Sequence, residues 1–172
     1  MVLRLISLLM LAVALLGQPH GALAHKIFPA TATVTFDGDN RYRIDIKTNV
    51  EALIAGIRSA HEDTDQSPQA ERYKALRALS AEGLRAEFDG FSERWLDGVA
   101  VRFDGNRMSP RIVELIVPEM GDVGRARIST IRIGGQVPDG AESFGWAYDK
   151  SYGSSVLRLV HAAKDEMTTA WL

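Results

Sequence analysis

Histidines and a short acidic run are the residues of this chain best suited to bind a metal ion. His25 directly follows Ala22-Leu23-Ala24. A cut after Ala24 would make it the N-terminal residue, so its α-amine and Nδ1 would chelate one ion together. A second imidazole would complete a three-nitrogen brace, the nitrogen-rich tetragonal set that favours Cu(II) or Ni(II). His61 and His161 are the candidates for that imidazole; His161 stands in strand phase with Leu157 and Leu159, with Asp165 four residues on as a further ligand. The alternative for His161 is an ordinary strand-end residue. A second candidate is His61-Glu62-Asp63-Thr64-Asp65, where His61, Asp63 and Asp65 offer mixed nitrogen and oxygen ligands. It is not an EF-hand: counted from Asp63, the sixth position is Pro68 and the twelfth Lys74, where Gly and Glu are required. Acids in such a place also cap a following helix, the competing reading.

Enzyme chemistry has little to stand on. The chain lacks G-x-S-x-G, H-E-x-x-H, a P-loop and G-x-G-x-x-G. Ser154 and Ser155 have no His and Asp partners in a frame that specifies a triad. With no cysteine, thiolate nucleophiles, Cys-type zinc sites and redox pairs are excluded. Phe144, Trp146, Tyr148, Tyr152 and Trp171 would form either a sugar or peptide platform or cross-strand core packing. The expectation is a non-enzyme whose only cofactor would be a Cu or Ni ion.

Residues 1–24 read as a secretory signal peptide: Arg4, an apolar run Leu5–Leu16, Gly17 and Pro19, then an A-x-A site. The apolar run is too short to span a bilayer, which takes about 20 residues. Removing 24 of 172 residues leaves 148, enough for one domain with its own core. Arg4 is the only charge removed, leaving 19 basic and 22 acidic side chains, formally −3. Such a balance disfavours nucleic acid, whose binding depends on a cationic excess. The protein is expected outside the cytoplasm, periplasmic or extracellular, with no further membrane span.

Alternation predicts a hairpin: Ala32, Val34 and Phe36, then a turn at Asp37-Gly38-Asp39-Asn40, then Tyr42, Ile44 and Ile46 on the buried face. The spacing of Thr48 and Glu51 matches a capping box ahead of a helix running to about Ala60. Ser67-Pro68 predicts a second helix start, and Ser80-Ala81-Glu82 a third. Residues 50–92 thus form a helical insertion. Strands follow at 99–103, 112–117, 126–133 (with a bulge near Ser129), 144–148, 155–161 and 167–172, and Ile112–Val117 looks like a central strand. The fold class is mainly β: an antiparallel sandwich-like domain with a helical insertion, α+β in all, spanning residues 25–172. The chain stops inside a strand-like pattern at Ala170-Trp171-Leu172, so the gene either ends there or continues.

Ala24-His25-Lys26, the Thr31–Thr48 hairpin, Ala78-Leu79-Ser80-Ala81-Glu82-Gly83-Leu84 and Tyr148–Leu159 carry a resemblance. In these features the chain resembles the extracytoplasmic N-terminal domain of the HupE/UreJ-type hydrogenase and urease accessory proteins. The resemblance implies a β-rich exported module associated with nickel or copper handling beside a membrane partner. The membrane helices of that family, and the transport assigned to them, have no counterpart here. Two other functions stay open: a histidine-brace copper protein, and an envelope interaction module without metal.

Overall fold

The computed structural model describes residues 29–57, 67–161 and 166–171. It has a mainly β architecture of two sheets with a few helices, whose buried side chains share one core with the strands. The first hairpin forms where alternation predicts it, as β1 (Ala30–Phe36) and β2 (Arg41–Thr48), paired antiparallel from Thr31↔Lys47 to Phe36↔Tyr42. Asp37 shapes the turn, its carboxylate accepting from the backbone N–H of Asp39 (3.1 Å) and Arg41 (3.0 Å). Asn40 takes a positive φ of 53°, which its short polar side chain tolerates.

Among the described residues four α-helices follow: α1 (Val50–Ala55), α2 (Ala70–Arg77), α3 (Ala81–Asp89) and α4 (Ser92–Asp97). The insertion therefore extends to Asp97, five residues beyond the expected boundary. Asn49 caps α1, accepting from Ala52 N–H at 3.0 Å, and not Thr48 as the spacing predicts. The second helix begins at Ala70; Ser67 instead makes a local turn, accepting from Gln69 N–H. Ser80 caps α3 as expected, accepting from Gly83 N–H. On the inner faces Tyr73, Leu76, Leu84, Phe88 and Trp95 are fully buried. Each such side chain contributes about 1.5–3 kcal/mol.

The remaining strands are β3 (Val99–Phe103), β4 (Asn106–Arg107), β5 (Arg111–Ile116), β6 (Ser129–Gln136), β7 (Phe144–Tyr148), β8 (Ser155–His161) and β9 (Glu166–Trp171). The large sheet has the order β5-β6-β2-β1-β8-β9, the small one β4-β3-β7. Among the described residues every pairing is antiparallel except β1 with β8, which run parallel from Ala30↔Ser155 to Thr35↔Val160. The sheets meet through rings: Phe36 of β1 lies 6.3 Å from Phe103 of β3 and 5.7 Å from Phe144 of β7. Ala32, Val34, Ile44, Ile46, Ile131 and Ile133 form the large sheet's inner face, all fully buried.

Strand β5 lies at the edge of the large sheet, not in its centre. Its apolar character on both faces comes from a bulge. The register passes from Ile112↔Ile133 to Glu114↔Arg132, leaving Val113 unpaired and 64% exposed. The bulge expected near Ser129 is absent, because β6 pairs with β2 without a break from Ser129 to Gln136.

Candidate functional site

His25, His61, Asp63, Asp65 and Asp165 lie outside the described residues. His161 closes β8, opposite Glu166 of β9. The parallel pairing sets a demanding condition on a His25–His161 brace. Residue 25 stands five places before Ala30, a reach of at most about 18 Å. Thr35, level with Val160, is about 17 Å further up β1 from Ala30. Residues 25–29 would have to double back, nearly fully extended, along the whole strand. Among the described residues no three His, Asp or Glu side chains gather where they would hold a metal ion.

Among the described residues the aromatic group Phe144, Trp146, Tyr148 and Tyr152 is packing. Trp146 is buried, stacks on Tyr148 with centroids 6.1 Å apart, and donates from Nε1 to Ser155 Oγ at 3.4 Å. Burial pushes the Tyr148 hydroxyl up to about 12, against the hydrogen bond it accepts from Trp95 Nε1. Tyr152 packs edge-on against both Tyr148 and Phe91.

Where the large sheet gives way to helices, a polar junction is buried. Glu51 is wholly inaccessible, and its Oε1 accepts from Arg127 Nε at 2.8 Å. Arg127 Nη1 donates to the carbonyl of Leu79 at 3.2 Å. Close by in the fold, Asn49 Nδ2 donates to Tyr73 Oη at 2.6 Å, and the Arg77 guanidinium lies 4.7 Å from the Tyr73 ring centre. Sequence reading missed this junction, since Glu51 and Arg127 are 76 residues apart.

The outer face of the large sheet is different in kind. Residues of β5, β6, β2 and β1 stand in rows across it, set by register. One row runs Glu114, Arg132, Asp45, Thr33. Here Arg132 donates to Asp45 from Nε (2.8 Å) and Nη2 (3.1 Å), and to Glu114 from Nη1 (2.7 Å). The hydrogen bonds to Asp45 hold that guanidinium still more firmly protonated.

The next row runs Arg111, Gly134, Arg43, Thr35. With no side chain at Gly134, a notch opens between two arginines. It belongs to a cleft of about 480 Å³ that also includes Arg41, Val113 and Gln136. The unpaired Val113 forms one wall, a methyl 3.5 Å from where a Cβ on Gly134 would stand. Arg41 is engaged by Asp37 (3.3 Å) and Asp39 (3.2 Å). Arg43 is held only loosely, 3.9 Å from an Asp45 already taken by Arg132. Among the described residues the Arg111 side chain has no hydrogen bond or ion pair. A larger cleft, about 740 Å³, lies between α4 and the β4–β5 connection. Its one cation, Arg107, is spent on the carbonyls of Asp97 and Val99. The arginine notch is the better binding site, having cations to spare.

The notch residues went unnoticed in the sequence, where Arg43 reads as one of several solvent-facing charges of a strand. The signal was an outward-phase glycine in β6, which only strand order places between two arginines. Comparison of the chain with protein-family models, with curated proteins and with solved structures finds no match.

Proposed function

We propose that this chain is an exported, non-catalytic accessory module that docks on a membrane or envelope partner through the outer face of its large sheet. The leader at residues 1–24 supports export, and the HupE/UreJ-type resemblance supports an accessory role beside a nickel- or copper-handling membrane protein. In this reading the described body contributes recognition rather than chemistry.

One observation carries it. The large sheet buries one face in the core and turns the other, rowed with threonines and charges, away from it. That outward face holds the cleft whose arginines lack full partners. A face of that composition needs no cover for stability, and charge complementarity selects what settles on it.

The test is position-specific photo-crosslinking in cells expressing the whole chain. A photoreactive residue replaces Lys47 on the outer face, or Ala147 on the far side of the small sheet. Lys47 should give one discrete adduct, in the envelope fraction, and Ala147 none. Equal labelling from both positions, or none from Lys47, overturns the reading. Mass spectrometry of the recovered protein should show a chain beginning at His25.

A further inference from the structure

We propose that Arg43 and Arg111, astride Gly134, form a subsite for a carboxylate presented by an acidic peptide segment of the partner. This rests on the outer face being the docking face, and adds what that face takes.

Adjacent rows of the outer face contrast in charge order. Glu114, Arg132 and Asp45 make an acid–base–acid triplet that is closed on itself. Arg111, Gly134 and Arg43 make its inverse, base–glycine–base, with no charged or polar side chain in the middle. Strands stand about 4.8 Å apart, so the two arginine backbones are about 10 Å apart, with one strand between them. Two cationic side chains lining one cleft repel each other, and an anion between them converts the repulsion into two attractions.

The surroundings favour an external anion over an internal one. Asp45 already serves Arg132 at 2.8 and 3.1 Å. Asp37, at the rim, accepts from the Arg41 side chain and two backbone N–H groups. Val113 and Ile112 line one side of the cleft and offer an incoming carboxylate no competing acid. The planar guanidinium fork matches a carboxylate in two-point contact.

Charge favours a peptide over a polyanionic surface. The chain is formally −2 overall, so a sheet of phosphate headgroups would be repelled by much of the molecule. A single carboxylate on an extended segment meets only the notch. Strand β5 at the sheet edge would let that segment lie alongside.

The experiment uses protein from the whole chain and follows arginine Nε–Hε signals by NMR. The probes are an end-capped Val-Glu-Val-Glu-Val peptide, its Gln counterpart, inorganic phosphate and phosphatidylglycerol vesicles. The Glu peptide should shift Arg43 and Arg111 saturably, and the Gln peptide should leave them in place. Arg43→Gln or Arg111→Gln should each weaken binding about tenfold, the scale of one charge-assisted pair, with unchanged thermal unfolding. Arg94→Gln should have no effect. Equal response to both peptides, or response to phosphate or vesicles in place of the Glu peptide, overturns the assignment. If titration fails while the Lys47 adduct persists, only the ligand class falls; loss of both removes the docking face itself.

Discussion

A carboxylate with no access to solvent persists in a protein when a cation faces it, and Glu51 has that cation in Arg127. Glu51→Gln should leave the guanidinium buried and uncompensated, costing about 3–5 kcal/mol in urea unfolding. The double variant Glu51→Leu, Arg127→Met should recover most of that loss, because it removes both desolvated charges. The spacing of Thr48 and Glu51 suggested a local partner for this acid; its real partner comes from another part of the chain. Local patterns name local partners, and a long-range ion pair has no such pattern. Tyr148 supplies a pH prediction. Its folded value, about 12, lies above the ordinary tyrosine value of 10. Below pH 10 the hydroxyl is neutral in both folded and unfolded chains, so it adds no pH dependence there. Between about pH 10 and 12 only the unfolded chain ionises, so stability falls as pH rises, by roughly 2–3 kcal/mol in all. Urea midpoints measured across that window should drop, and Tyr148→Phe should flatten the slope.

Elements read from two-residue alternation were legible because each residue alone reports which face it occupies. The β1–β2 hairpin follows the predicted phase, with Tyr42, Ile44 and Ile46 inward. Edge and centre are not written in that period. Ile112–Val117 looked central because apolar residues fell on both faces, whereas the bulge at Val113 produces the same pattern at an edge. Helix starts were legible where one side chain does the capping, as at Ser80, and shifted where two neighbours compete, as at Thr48 and Asn49. Asn49 both caps α1 and donates to Tyr73 of α2. Asn49→Ala should therefore cost more than an ordinary cap, about 2–3 kcal/mol by thermal unfolding. Gly135 carries a second constraint at this scale. A Cβ there would lie 2.7 Å from the Tyr42 hydroxyl and 2.9 Å from its Cζ. Gly135→Ala should destabilise by about 1–3 kcal/mol, and adding Tyr42→Phe should return part of it, since the closest clash is with that oxygen.

At the scale of the whole molecule, the large sheet is held together by strands from opposite ends of the chain. Ending the chain after Gly153 would remove β8 and β9 and bare one edge of β1, whose inner side chains Ala32 and Val34 are fully buried. The shortened protein should show no cooperative thermal transition and should collect in the insoluble fraction. The candidate site shares this long-range origin: Arg43, Arg111 and Gly134 are ordinary in the sequence and become neighbours only through the order β5-β6-β2. Fold class was legible because composition and period are local, whereas the notch depends on which strands lie side by side.

The parallel pairing of β1 with β8 also dictates timing. Ala30 meets Ser155, about 125 residues later in the chain. At a ribosome's pace of about 5–20 residues per second, the first strand waits roughly 6–25 s for its neighbour to be made. Throughout that interval a hydrogen-bonding edge stays open, an invitation to mispairing that a chaperone holding the nascent hairpin would remove.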